Sequence, residues 1–265
     1  LINTIFASFL ASGSISWLYY ADRLMEFPAG VLGVALSTIL LPNLSKSFSR
    51  KKTVDYSELV NWGLRLGILL AVPAATALAI LAIPLISTLF YYGAFTETDI
   101  LMTQYALIAY SIGLVGLILI KILAPAFYAQ QNIKTPVKIA LFTLFCTQFM
   151  NLIFIGYLKH TGLALAIGLG ACINAALLFY HLKKGQVFKL NAGWTMFLIK
   201  IIFAAFVMAL GLFYFKGTID LWINYSAFSR FVHLITLILF GATLYFITLR
   251  LCRLDITEFF KKTIQ

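Results

Sequence analysis

Three ionisable residues lie close together inside a long apolar segment near the start of the chain. Asp22, Arg23 and Glu26 occur within the sequence WLYYADRLMEFP at residues 17–28. Charged groups at membrane depth are costly, so they normally face the interior of a helix bundle or a water-filled cavity. An arginine there offers planar pairs of N–H donors that fit phosphate or carboxylate oxygens. The three residues therefore predict either an anion-binding group in a cavity or a neutral structural triad that joins helices.

Small and polar residues continue the charged face along the same predicted helix. At about 100° per residue they fall on one side of the helix, and most of the opposite side is apolar. A local ion pair would not need small residues far along this face, so the pattern favours a cavity. We call the whole set the polar stripe; beside Asp22, Arg23 and Glu26, its predicted cavity-lining members are Ser16, Tyr19, Gly30, Gly33 and Ser37.

The composition excludes most soluble classes of protein. Of the 265 residues, 62% are hydrophobic and only 11% are charged, and the mean hydropathy is +0.97. A soluble domain carries about twice that charged fraction. The cysteines and histidines show no metal-ligand spacing, and no catalytic or nucleotide-binding motif occurs. The sequence predicts no metal, no cofactor and no enzyme activity.

Charge-free segments predict an all-α, polytopic membrane protein. A membrane helix needs about 20 apolar residues to cross the hydrocarbon layer. The charge-free windows, with their apolar flanks, give about seven full spans and one truncated span at the start. The predicted spans are 1–9 (truncated), 16–44, 62–88, 100–120, 139–158, 161–182, 195–215 and 229–250.

The basic residues are distributed unevenly between the two sides of these spans. If the connections alternate sides from the turn at Ser12 and Gly13, sixteen lysines and arginines lie on one side and four on the other. Cytoplasmic loops carry the excess of basic residues, so the C-terminus is predicted to be cytoplasmic. This bias also explains the net charge of +11 without nucleic-acid binding.

Two further features remain open from the residues alone. Thr147, Gln148 and Asn151 lie within one predicted span, where they could bind a cation or, as we prefer, form hydrogen bonds between helices. The last two spans, about 195–215 and 229–250, carry no internal charge. They are expected to form an apolar groove for a lipid tail, with plain structural helices as the alternative.

Several stretches resemble one family of bacterial transporters: residues 2–8, 17–28, 40–45 and 131–138 are similar to MurJ (MviN), the lipid II flippases. That family belongs to the multidrug/oligosaccharidyl-lipid/polysaccharide exporter superfamily. The resemblance implies part of a two-lobe fold of 14 helices, from the end of the seventh helix onward. Residues 1–190 would form the C-terminal lobe, and residues 191–265 two extra membrane helices with a cytoplasmic tail.

The resemblance also implies a function and assigns roles to the stripe. Family members move an undecaprenyl-diphosphate-linked peptidoglycan precursor from the cytoplasmic to the periplasmic leaflet of the inner membrane by alternating access, for cell-wall synthesis. Arg23, Asp22 and Glu26 match positions that bind this substrate. The family's other cavity arginines lie in the N-terminal lobe, so the chain needs that lobe as a partner and is expected to be inactive alone.

Two alternatives to this reading are kept, and sodium coupling is a separate question. The chain could belong to a polysaccharide or a multidrug exporter of the same superfamily, which would differ in the charge of the cavity. A membrane-embedded transferase would need clustered carboxylates, whereas the outer acidic residues are dispersed. Some family members hold sodium on their seventh and eleventh helices, but the segment with Thr147, Gln148 and Asn151 carries no carboxylate.

Overall fold

A computed structural model describes residues 2–185 and 187–254 of the chain. Every regular element within these residues is an α-helix, which confirms the predicted fold class. The predicted tail after residue 254 lies outside the described residues. The helices are α1 (Ile2–Ser8), α2 (Ser14–Ser49), α3 (Thr53–Ile80), α4 (Ala82–Phe90), α5 (Glu97–Ala129), α6 (Lys134–Lys184), α7 (Trp194–Phe215), α8 (Ile219–Asn224) and α9 (Ala227–Leu251).

Six of these helices are long and apolar enough to cross a membrane, and α6 crosses it twice. The backbone of α6 leaves helical geometry at Lys159, where φ is 51° and ψ is −131°. A Cβ atom placed on Gly162 would lie 2.7 Å from the carbonyl oxygen of Phe154. These two residues would be about 12 Å apart in a straight helix. Residues 134–158 and 160–184 are therefore two antiparallel arms, which gives the seven full spans predicted from the sequence.

The helix ends differ from the predicted spans in two informative places. The predicted span 62–88 is divided at Leu81 into α3 and α4. Pro84 is consistent with the break, because a proline has no N–H to donate back to residue 80 and fits without cost in the first turn of the new helix α4. The predicted span 100–120 continues as α5 to Ala129. Lys121, which the sequence places at the cytoplasmic end, therefore lies within this helix.

Helix α5 is the centre of the bundle. About 61% of its most apolar stretch is buried, compared with 33% for α2, α3, α7 and α9. Close contacts at small residues bring the second arm of α6 against it: a Cβ on Gly116 would lie 2.7 Å from the backbone of Ala171. Small residues allow this approach of backbones in membrane helices. The other side of α5 contacts α2 and α3.

The last two spans pack on each other and on α3 and α4. The buried side chain of Asn61 joins α3 to the segment before α7, because its Nδ2 donates to the carbonyl oxygen of Lys189 at 2.8 Å. Its Oδ1 accepts from the indole N–H of Trp194 at 3.0 Å. The hydroxyl of Tyr245 in α9 donates to the carbonyl oxygen of Leu69 at 2.9 Å. The division of the chain after residue 190 falls in the connection between α6 and α7, and it stays a prediction.

Candidate functional site

The ion pair between Arg23 and Glu26 is the most prominent feature of the polar stripe. Arg23 Nη1 donates to Glu26 Oε2 at 2.6 Å, as expected for side chains three residues apart on a helix. The guanidinium also lies over the ring of Tyr19, 4.9 Å from its centroid. About half of each charged side chain is exposed, 54% for Arg23 and 52% for Glu26. The pair is therefore accessible from outside the bundle rather than enclosed within it.

Among the described residues, Asp22 has no recorded ion pair with Arg23, so the structure does not show the neutral triad that was one of the two alternatives. In the described part of the chain, the only recorded partner of Arg23 in an ion pair is Glu26. Neighbouring residues on a helix point about 100° apart, which directs the Asp22 side chain away from the guanidinium. Asp22 instead lines a cavity of about 240 Å³ between α1, α2, α5 and α6, together with Asn3, Tyr19 and Tyr110. Tyr19 thus contacts both the cavity and Arg23.

The remaining stripe residues differ in their surroundings. Ser16 is exposed two turns before Arg23, and Ser37 is half-buried in the other half of α2. A Cβ on Gly30 would have no atom within 4 Å, so the stripe is open at that point. Gly33 is buried, because a lysine from α5 covers it. The structure therefore brings Tyr19, Arg23 and Glu26 together and spreads the other predicted residues along the helix.

The lysine that covers Gly33 is Lys121, which the sequence analysis counted only as a basic residue at the cytoplasmic side. Its ammonium donates to the carbonyl oxygen of Ala29 in α2 at 3.2 Å, and its side chain is half-buried. One signal in the sequence could have revealed this position. The six residues after Lys121, ILAPAF, are as apolar as those before it, so the lysine lies inside an apolar helix rather than at its end.

The second polar group connects α1 to the first arm of α6. Asn151 is fully buried, and its Nδ2 donates to Asn3 Oδ1 at 2.8 Å and to Gln148 Oε1 at 3.2 Å. The hydroxyl of Thr147 donates to the carbonyl oxygen of Thr143 within the same arm. The bond to Asn3 joins two helices, as preferred from the sequence for this group, whereas the bonds of Gln148 and Thr147 stay within the arm. Among the described residues, no three histidine, cysteine or acidic side chains are grouped so that they could hold a metal ion.

Comparison with known proteins identifies the family. A family model described as lipid II flippase MurJ matches residues 1–233. The chain belongs to the MurJ family. The resemblance inferred from residues 2–8, 17–28, 40–45 and 131–138 is thereby confirmed.

Individual members of the MurJ family are similar over most of the chain. Lipid II flippase MurJ of Burkholderia cenocepacia is 53% identical over 209 residues, which are 79% of this chain and 40% of that protein. The probable lipid II flippase MurJ of Buchnera aphidicola subsp. Schizaphis graminum is 43% identical over 100% of this chain and 52% of its own length. The chain thus spans about half the length of the curated relatives that it matches.

A solved MurJ structure has the same fold. The protein, titled lipid II flippase MurJ in an inward closed conformation, matches 100% of this chain and 52% of its own with a TM-score of 0.77 and 26% identity. The family match and the six long apolar helices together establish a multi-pass helical membrane protein. A flippase moves its lipid without making or breaking bonds, so the family is one of transporters rather than enzymes.

Proposed function

We propose that this chain is the half of a lipid II flippase that carries Arg23, and that the flippase acts in the bacterial inner membrane. The observation that carries the proposal is the exposed Arg23–Glu26 pair on an otherwise apolar membrane helix. A purely structural ion pair would be expected inside the bundle, where it would join two helices. This pair lies within one helix and leaves half of the guanidinium accessible. The MurJ relatives named as lipid II flippases supply the substrate class.

The chemistry of the substrate explains why an arginine is needed at this depth. The diphosphate of a polyprenyl-linked sugar cannot cross about 30 Å of hydrocarbon unaided, whereas its tail can stay in the lipid. A guanidinium has five N–H donors, and Glu26 takes one of them in the structure. Tyr19 also lies against the guanidinium, and the donors that remain would bind phosphate oxygens in pairs. Glu26 would hold the side chain in place until an anion arrives.

The transport cycle requires the other half of the protein. We infer that the described helices form one lobe, and that a second lobe closes the cavity on the side of the polar stripe. Rocking of the two lobes would then expose Arg23 to one face of the membrane at a time. The uneven distribution of basic residues orients this cycle, with the connection between α2 and α3 and the C-terminus on the cytoplasmic side.

Replacement of Arg23 in the full-length protein tests this function. Arg23→Ala should abolish complementation in cells depleted of the native flippase, while the amount of protein in the membrane stays near normal. Arg23→Lys should also be impaired, because an ammonium keeps the charge but loses the paired donors. Lys184→Met changes an exposed cation at the end of α6 and serves as the control. Full complementation by Arg23→Ala at normal abundance would exclude the proposal.

The lipid tail gives the proposal a second, separate test. The outer faces of α7 and α9 are strongly apolar, with Phe206, Phe213 and Phe231 each more than half exposed. We propose that these faces contact the polyprenyl chain while the stripe holds the diphosphate. A photoactivatable prenyl diphosphate should then label α7 or α9 in the full-length protein, and excess unlabelled prenyl diphosphate should suppress that labelling. Labelling confined to α2 would contradict a groove at the last two helices.

A further inference from the structure

A short segment without regular structure attaches the last two membrane helices to α3. It comprises residues 187–193, which directly precede α7, and we call it the strap. Three residues of α3, each four positions from the next, bind the backbone of the strap or of its continuation into α7. They are Ser57, Asn61 and Arg65, and side chains at this spacing lie on one face of a helix. The strap is therefore fixed along about two turns of α3.

Asn61 is the central residue of this contact, and it is only 2% exposed. Its Nδ2 donates to the carbonyl oxygens of Ser57 and Lys189, both at 2.8 Å. Its Oδ1 accepts from the backbone N–H of Asn191 at 3.2 Å and from the indole N–H of Trp194 at 3.0 Å. Both N–H groups and both lone pairs of the amide are thus used. A buried polar group with all its partners in place specifies one arrangement of its surroundings.

The residues one turn before and one turn after Asn61 add to this attachment. Ser57 Oγ donates to the carbonyl oxygen of Lys189 and accepts from its N–H, both at 3.0 Å. Arg65 Nη2 donates to the carbonyl oxygen of Ala192 at 2.9 Å, and its guanidinium lies 5.4 Å from the centroid of the Trp194 ring. Trp194 is the first residue of α7. These contacts therefore fix the start of α7 as well as the strap.

The opposite face of α3 contacts the helix that carries the polar stripe. Gly63 follows Asn61 by two residues, which places it about 200° away around the helix. A Cβ on Gly63 would lie 2.7 Å from Leu40 Cδ1 in α2, so the two helices approach closely there. The last two spans, by contrast, pack on α3 and α4. Helix α3 therefore lies between the stripe and the helices with exposed apolar faces.

Apolar packing by itself does not fix the position of a membrane helix. Lipid chains are as apolar as the side chains of a neighbouring helix, so helices in a bilayer gain little from apolar contact with each other. Hydrogen bonds are directional, and those between helices fix both distance and rotation. The bonds of Asn61 therefore supply an alignment that the apolar faces of α7 and α9 cannot supply.

We propose that Asn61 is a positioning residue for the lipid tail: through the strap, it holds α7 and α9 where the prenyl chain reaches them while the diphosphate is bound at Arg23. The inference rests on the proposed function, because it assumes that the tail lies on α7 and α9. Two joined groups reinforce each other's binding only when their sites lie at a distance that the connecting chain can span. Asn61 touches no substrate in this role. Its loss should leave the diphosphate bound and the tail misplaced.

Photolabelling of the purified full-length protein in lipid nanodiscs tests this role. The probe is undecaprenyl diphosphate with a photoactivatable group at the end of its chain. Asn61→Leu keeps the approximate size of the side chain and removes its hydrogen bonds, so labelling of α7 and α9 per bound probe should fall several-fold. The affinity for farnesyl diphosphate, whose chain is short, should stay as in wild type. Equal labelling of α7 and α9 in wild type and Asn61→Leu would overturn the inference.

Two further variants separate positioning from a loss of stability. Thr76→Val is the matched control, because it removes a hydroxyl of α3 whose recorded bond, to the carbonyl oxygen of Val72, stays within the helix. It should label as wild type does. Trp194→Phe keeps an aromatic ring and removes one donor to Asn61, so it decides the matter if Asn61→Leu is poorly folded. It should shift labelling away from α7 and α9 to a smaller extent. Lower thermal stability with the wild-type labelling pattern would overturn the inference.

Arg23→Ala, measured in parallel, distinguishes the two proposals. If Arg23→Ala weakens the binding of farnesyl diphosphate and Asn61→Leu labels as wild type does, the role of Asn61 fails while the proposed function stands. If Arg23→Ala binds farnesyl diphosphate as tightly as wild type, or if wild type labels neither α7 nor α9, the proposed function fails and the inference fails with it. If Arg23→Ala loses the diphosphate and Asn61→Leu loses only the labelling of α7 and α9, both proposals are supported.

Discussion

Arg23 in α2 and Arg230 in α9 are both predicted from the distribution of charge to lie on the outer side, and both lie over a tyrosine ring. Their other surroundings differ. Arg230 is only 7% exposed and donates to three carbonyl oxygens, those of Ser87, Tyr91 and Ile223, at 2.9–3.2 Å. Arg23 is half exposed and pairs with a carboxylate one turn away on its own helix.

The difference is the one expected if Arg230 has a structural role and Arg23 the proposed binding role. Arg230 binds carbonyl groups near the end of α4, where helical carbonyls lack partners within the helix. Its bonds link α9 to α4 and to α8, so its loss would separate parts of the fold. Among the described residues, the recorded partners of Arg23, Glu26 and Tyr19, lie on its own helix, and in the proposed function another anion replaces the carboxylate. Under the proposed function, burial with fixed carbonyls marks the structural arginine, and exposure with an exchangeable carboxylate marks the arginine that binds an anion.

The largest expected effect is on stability, at Arg230. Arg230→Met should lower the free energy of unfolding by about 3 kcal/mol, because one buried and two partly buried carbonyl groups lose their donors. Arg23→Met should change it little, since exposed ion pairs contribute little to stability. Thermal unfolding of the full-length protein in detergent, together with membrane abundance, measures both. Equal losses for the two variants would remove the distinction between a structural and a binding arginine.

The sequence predicts the number of spans because the thickness of the hydrocarbon layer sets the minimum length of a membrane helix. Charge-free windows of that length can be counted directly in the sequence. It places the turn between the two arms of α6 correctly, since Lys159 and His160 interrupt an apolar run. The break at Leu81 was not predicted, although Pro84 lies within the window. A proline in a membrane helix can either kink it or begin a new one, and local sequence does not decide which.

The environments of the charged residues were much harder to predict than the spans. Arg230 lies at the start of an apolar window and looks like an ordinary interfacial residue. Two of its acceptors, on Ser87 and Tyr91, are about 140 residues away in the chain. The contact of Lys121 with Gly33 likewise depends on how α5 packs against α2. Such contacts arise from tertiary packing, which the pattern of one helix does not contain.

The comparison assumes that both arginines lie toward the periplasm, which labelling can test. Single cysteines at Thr98 and Ser49 in an otherwise cysteine-free full-length protein should differ in their reaction with an impermeant maleimide. Thr98 lies in the first turn of α5, on the predicted outer side, and should be labelled in intact spheroplasts. Ser49 ends α2 on the predicted cytoplasmic side and should be labelled only after lysis. The reverse pattern would place Arg23 and Arg230 near the cytoplasm.

The smallest expected effect concerns the carboxylate that distinguishes Arg23 from Arg230. If Glu26 occupies the guanidinium until an anion replaces it, Glu26→Gln should tighten the binding of farnesyl diphosphate by a few-fold. The amide keeps the shape of the side chain but competes less strongly for the cation. Lys52–Asp55 offers a matched control, because it has the same spacing and nearly the same exposure but lies at the start of α3, far from Arg23.

Asp55→Asn should therefore leave the affinity for farnesyl diphosphate unchanged, and titration of both variants against wild type gives the measurement. A loss of affinity in Glu26→Gln as large as that of Arg23→Ala would mean that Glu26 orients the guanidinium for the anion instead of competing with it. Arg23 would then depend on a fixed partner for its geometry, as Arg230 does. Exposure alone would then not distinguish the two arginines. Only the charge of the partner group would distinguish them.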